Sequence, residues 1–227
     1  MFVLDLPLII PSYMCFSRYF NNFIRDLYIA GIRKVIVMHD FDFSTSDIFS
    51  CRNSLKELKK NISPVFKSNN VKFEIVINSL LESKIYSLNE LSCVSKKNSG
   101  YYFLTIPLSS DQSTAMENIF TLKNSGFLPV ITSYEDISVI FKKSFCEALI
   151  TTEQMSFVFD TDALSDDKIF SYVSKALLSH NIVAFSTSNF TTSIIERNIS
   201  ELWCKLDNQQ RMNFGYLYHK LTNSIFK

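Results

Sequence analysis

One feature constrains this chain more than any other. Short, nearly continuous apolar runs alternate with longer stretches that carry the spacing of amphipathic helices. "FVLDLPLII" comes first, then "SRYFNNFIRDLYIAG", a helix that Gly31 closes. "KVIVMHD", a helix around "SLKELKKNISPVF", and "VKFEIVINSLL" follow. "GYYFLTIPL" leads to a helix over "QSTAMENIFTLKNSG", and "FLPVITS" to one over "ISVIFKKSFCEALI". "MSFVFDTDAL", the helix "DDKIFSYVSKALLSH" and "NIVAFSTSNF" come next, and the C-terminal stretch from Ser200 reads as helix. About seven strands with helices between them predict βα units and a parallel sheet. Uninterrupted apolar runs are what a sheet covered by helices requires. No linker, repeat or low-complexity segment divides residues 1–227, so the chain reads as a single α/β domain. A doubly wound open sheet and a closed barrel write the same string, and periodicity does not separate them.

Composition narrows the function. With 23 basic and 22 acidic residues the net charge is +1, so no positive excess favours a nucleic-acid partner. Only four glycines occur, where average usage of about 7% gives roughly four times as many. Glycine-rich phosphate loops are absent, and dinucleotide-binding and P-loop readings fall with them. The five cysteines are widely spaced and never form C-x-x-C, which fits reduced thiols and a cytoplasmic location. No apolar run approaches the roughly 20 residues of a membrane span. The aromatic residues fall mostly on apolar faces, as core packing rather than as base-stacking platforms.

In a parallel α/β fold, chemistry gathers where strands end. Those places hold Asp5 and Pro7; His39, Asp40 and Asp42; Asn78 and Ser79; Thr105; Ser133 and Glu135; Asp160 and Asp162; Ser188 and Asn189. A metal hydrolase needs several imidazole and carboxylate donors there, yet only His39 supplies an imidazole. The carboxylates could assemble a Mg²⁺ site, but aspartates at strand ends also cap helices and shape turns. Side chains alternate along a strand, so Asp40 and Asp42 point one way and His39 the other. His180, at a helix end, suits the helix dipole, and His219 lies on an amphipathic helix. No G-x-S-x-G occurs, and no cysteine sits in a basic environment.

Taken in order, these stretches resemble the bacterial capsule-associated, manganese-dependent tyrosine phosphatases of the polymerase and histidinol phosphatase (PHP) superfamily. "AGIRKVIVMHDFD" is similar to that family's G-I-[RT]-x-I-I-A-T-P-H-H segment. "YYFLTIPLSSDQSTAMENIFTLKNSGFLPVITSYEDI" is similar to its Y-x-L-I-E-F-P … G-Y-x-P-V-I-A-H-P-E-R stretch. "DTDAL" and "IVAFSTSNFTT" stand where the family has T-[SA]-G-S-L and a strand ending in S-D-A-H. The resemblance implies a distorted (β/α)₇ barrel of the TIM-like PHP type.

The family's metal-binding and phosphate-binding positions are replaced. The places of its H-x-H hold Asp5 and Pro7, the next histidine falls on Asp40, and a glutamate on Leu80. Thr105 replaces the glutamate of I-E-F-P, Ser133 the histidine of A-H-P-E-R, and Asp136 its arginine. Ser188 and Phe190 replace the final D-x-H, and Glu135 alone survives. The resemblance therefore implies a pseudophosphatase with no cofactor. It would act through a protein partner or a small ligand in the barrel mouth, within a polysaccharide or tyrosine-kinase system. The alternative is a phosphoesterase with a rebuilt Mg²⁺ or Mn²⁺ site on Asp5 and Asp40. A third reading, from metal-free PHP-like barrels in RNase P, meets the near-zero net charge.

Overall fold

The apolar runs pair side by side and in parallel. The computed structural model describes residues 7–42, 47–80, 100–107, 109 and 111–226, and the side chains of Leu80 and Glu135 fall outside the described set. The strands are β1 (Leu8–Pro11), β2 (Lys34–Phe41), β3 (Lys72–Leu80), β4 (Tyr101–Thr105), β5 (Leu128–Thr132), β6 (Ser156–Asp160) and β7 (Ile182–Ser186). They follow one another in sequence order around a closed barrel. Closure rests on two residue pairs between β1 and β7, Leu8 with Phe185 and Ile9 with Ser186. This is the α/β barrel that the resemblance implies, and it excludes the open sheet.

Around it run α1 (Phe20–Ile29), α2 (Ile48–Ser68), α3 (Gln112–Asn124), α4 (Tyr134–Ile140), α5 (Lys143–Thr151), α6 (Asp167–Leu178), α7 (Thr192–Lys205) and α8 (Asn208–Ile225). Aspartates start several of them. Asp47 accepts from the Ser50 N–H at α2, Asp111 from Thr114 at α3, and Asp166 from Lys168 and Ile169 at α6. Asp207 and Gln210 form a reciprocal capping box at α8. The ends of α1, α2, α3 and α6 are equally regular. Each closes on a left-handed residue: Gly31 (φ 95°), Asn70 (φ 55°), Gly126 (φ 85°) and His180 (φ 56°). The following N–H returns to the last turn, as from Asn181 to the Ala176 carbonyl at 2.9 Å.

His180 is thus a conformational cap and carries the cost of a side chain in the left-handed region. Because it is exposed, His180→Gly removes that strain without emptying the core. The substitution is expected to stabilise the protein by up to about 1 kcal/mol and to raise the melting temperature by about 2–4 °C in a thermal melt.

The register fixes which side chains face inward. Ile9, Ile36, Met38, Val76, Phe103, Val130, Val158 and Ala184 share the interior face, through successive pairs such as Met38 with Val76 and Val158 with Ala184. They make an apolar floor across the barrel. Beyond it, towards the C-terminal strand ends, the same face turns polar with Asp40, Asn78, Thr105, Thr132, Asp160 and Ser186. Outward-facing Phe157 and Phe159 pack with Tyr134 of α4 and Tyr172 of α6, at centroid distances of 5.3–5.5 Å around the Tyr134 ring.

Several element boundaries differ from the sequence expectation. The helix expected over 137–150 is two helices, because Phe141 and Lys142 take extended backbone angles while the apolar spacing runs on through them. The C-terminal helix is likewise divided at Leu206, and the Asp207 cap begins α8. β6 stops at Asp160, whose carboxylate accepts from the Asp162 N–H and bends the chain into a 3₁₀ turn, Thr161–Ser165. β7 stops at Ser186 rather than running to Phe190.

Candidate functional site

Where the seven strands end, the barrel opens into a cavity of about 680 Å³. Every strand or its following turn contributes to the wall. Pro11 and Tyr13 come from the end of β1, Asp40 and Asp42 from β2, Asn78 from β3, and Thr105 from β4. Ser133 and Asp136 follow β5, Asp160 ends β6, and Ser186, Thr187 and Ser188 leave β7.

The deepest polar groups are bound to one another. Asn78, 5% exposed, donates from Nδ2 to Asp40 Oδ1 at 2.7 Å and to Thr105 Oγ1 at 2.8 Å. Thr105 and Thr132 hydroxyls lie 2.7 Å apart, and Thr132 reaches Asn78 Oδ1 at 3.2 Å and the Leu104 carbonyl at 3.1 Å. This chain across β2–β5 satisfies side chains that would otherwise be buried without partners. Asp40 is therefore held by an amide on the cavity wall while its other face remains exposed.

On the far side, Asp160 accepts backbone bonds from Asp162 at 2.8 Å and from Ser188. Burial, and then the nearby carboxylates of Asp162 and Asp136, hold its carboxyl above the ordinary range, while the two N–H bonds work against that shift. Ser133, the first residue after β5, has φ 54° and ψ 45°. It starts α4 in the left-handed region, and its hydroxyl makes no capping bond.

His39 stands outside the cavity, as alternation along β2 requires. Its Nδ1 lies 3.0 Å from Ser12 Oγ and its Nε2 2.7 Å from Ser54 Oγ on α2. Burial lowers its basicity, and the Asp40 charge opposes this only in part. A folded-state value below the unfolded one means that the unfolded chain takes up the proton first as pH falls. Stability from neutral His39 is present above about pH 6.5 and is lost below it. In His39→Gln, the drop in melting temperature between pH 7 and pH 5 is expected to be smaller than in the wild type.

The structure gathers Asp40, Thr105, Ser133, Asp136 and Ser188 around one cavity and places two other expected site residues elsewhere. Pro7 precedes β1, is buried, and accepts from the Tyr218 hydroxyl of α8 at its carbonyl. Extending the β1–β2 register sets it beside Lys34, six residues and roughly 20 Å from the level of Asp40. The inward positions at the end of β1 are instead Pro11 and Tyr13, so the apolar run "FVLDLPLII" gave no sign of where the strand stops. Phe190 packs edge-on against Phe23 (5.3 Å) and Tyr19 (6.4 Å), on the α1 side of the chain. Leu80 ends β3 opposite Thr105, and Glu135 lies in α4. Asp5 lies outside the described residues. Thr132, which with Asn78 ties the wall together, was not singled out in the sequence, and Asn78 was marked only as a strand-end residue, because a buried amide and hydroxyl have no motif.

The described donors do not suit the PHP metal cluster. Among the described residues no group of three or more His, Cys, Asp or Glu side chains could hold a metal ion. Asp40 is bound by Asn78, and Tyr13 and Pro11 occupy the end of β1. The described lining includes hydroxyls but no histidine, so a His-activated serine nucleophile is not built there.

No family model and no curated protein matches the chain. Among solved structures it is similar to a chain from the metal-dependent tyrosine phosphatases YwqE of Bacillus subtilis and CpsB of Streptococcus pneumoniae. The TM-score is 0.62, with 18% identity over 89% of this chain and 86% of that one. An adenine deaminase from Arthrobacter aurescens gives a TM-score of 0.42 with 9% identity over 91% of this chain and 72% of that one. At these identities the likeness shows the fold: a closed, seven-stranded parallel α/β barrel of the PHP-like type.

Proposed function

We propose that this PHP-like barrel acts as a pseudophosphatase, a binding or regulatory protein that uses the old active-site mouth to hold a partner or ligand. Its setting would be the polysaccharide or tyrosine-kinase system that the sequence resemblance implies. The observation that carries the reading is the Asp40–Asn78–Thr105–Thr132 chain. Strand-end groups that would have to converge on one metal or phosphate are directed at each other instead. Asp136, on the cavity wall, adds support: a carboxylate there repels a phosphoester that an arginine fork would bind.

Purified protein is expected to hold less than stoichiometric Mn, Zn or Fe by elemental analysis. It is also expected to turn over a phosphotyrosine peptide no faster than a protein-free control with Mn²⁺ or Mg²⁺ supplied. Stoichiometric metal together with turnover would overturn the reading.

A further inference from the structure

The described wall of the mouth has a definite electrostatic sign. Asp40, Asp42, Asp136 and Asp160 line it, with Asp162 close enough to act on Asp160, and no Lys, Arg or His is among the described lining residues. The carboxylates come from both sides of the opening, after β2 on one side and after β5 and β6 on the other. A recess with low-dielectric walls concentrates such a field towards its centre.

The remaining wall suits an organic cation better than a bare metal ion. Tyr13, 60% exposed, and Phe41 both line the cavity, and an aromatic face attracts an ammonium or guanidinium group. Below them, Met38 and the apolar floor offer a surface for an alkyl stem. Ser133, Ser186 and Ser188 supply oxygen atoms that accept hydrogen bonds from N–H donors. At about 680 Å³ the space exceeds the needs of a single hydrated metal ion and lies within the range of pockets that enclose small organic ligands.

We infer that the mouth binds a primary ammonium or guanidinium group on an aliphatic stem, with the carboxylates around the charge and Tyr13 against its side. This rests on the non-hydrolytic reading of the same cavity and gives its ligand a chemical class. A free polyamine-like molecule and a lysine or arginine side chain on a protein share that chemistry.

Calorimetric titration separates these sources. Agmatine serves as the free cation, a neutral-capped Gly-Arg-Gly peptide as the side-chain source, and phenyl phosphate as the anion. Saturable one-to-one binding of agmatine alone identifies a small-molecule site, and tighter binding of the peptide identifies a protein partner. Either supports the inference if phenyl phosphate does not compete. Asp136→Asn and Tyr13→Ala, both at exposed side chains, are each expected to weaken the cation about three- to tenfold, and added salt to weaken it further. Unchanged melting temperatures keep a folding defect from imitating that loss. Absence of binding by both cations, affinities indifferent to Asp136→Asn, or preferential binding of Mg²⁺ or phenyl phosphate would overturn it. Phosphotyrosine turnover would instead overturn the non-hydrolytic reading and leave a measured cation affinity standing, so the two failures are distinguishable.

Discussion

Tyr134→Ala is expected to cost about 4 kcal/mol of stability and to lower the melting temperature by roughly 10 °C. The ring is fully buried at the start of α4, with Phe157, Phe159 and Tyr172 at centroid distances of 5.3–5.5 Å. Truncation leaves a cavity between the barrel wall and its helices, and the loss combines transfer and cavity effects. Tyr134→Phe isolates the hydroxyl, which donates to the Cys146 carbonyl at 2.6 Å and so ties α4 to α5 across the extended Phe141–Lys142 break. That variant should lose only about 1–1.5 kcal/mol. Chemical denaturation of the three proteins reads both values, and a loss below about 1 kcal/mol for Tyr134→Ala would show that the aromatic cluster is not packed as described.

The second large effect is expected at Asn181, a residue with no exposed surface just before β7. Its Nδ2 donates to the carbonyls of Ile150 (2.8 Å) and Thr152 (2.9 Å), and its Oδ1 accepts from the Met155 N–H at 3.1 Å. One side chain thus joins the end of α5 to the approaches of β6 and β7. Asn181→Ala strands three backbone groups away from water and should cost about 3 kcal/mol. Asn181→Asp should cost more, because it sets a carboxylate oxygen against two carbonyls. If aspartate proved milder than alanine in urea melts, the amide would not be donating as described.

How much of this was legible in the sequence differs from element to element. The strands were, because runs such as "KVIVMHD" are apolar on both faces and have no other stable place. The orientation of His39 away from Asp40 followed from two-residue alternation and is seen in its contacts with Ser12 and Ser54. Closure of the barrel was not written locally. It depends on a two-residue pairing between β1 and β7, strands about 175 residues apart, and came from the family resemblance. The break at Phe141–Lys142 was hidden because the apolar spacing continues across it.

The candidate site was legible in part for related reasons. Asp40, Thr105, Ser133, Asp136 and Ser188 were placed by strands whose ends are marked by a switch to polar residues. Pro7 was misplaced because the first apolar run gives no such mark before Pro11, the proline that stops the ladder. Asn78 and Thr132 needed three-dimensional context, since their role lies in bonds across four strands.

The floor formed by Met38, Val76, Phe103, Val130, Val158 and Ala184 has a consequence for traffic through the molecule. It lies between the mouth and the opposite opening, which is lined by Tyr101, Leu128, Ser156 and Ile182. The barrel is therefore a blind well and not a conduit: whatever enters between the strand ends must back out the same way. Chemical changes at the two openings should then be energetically independent, each felt only on its own side of the seal.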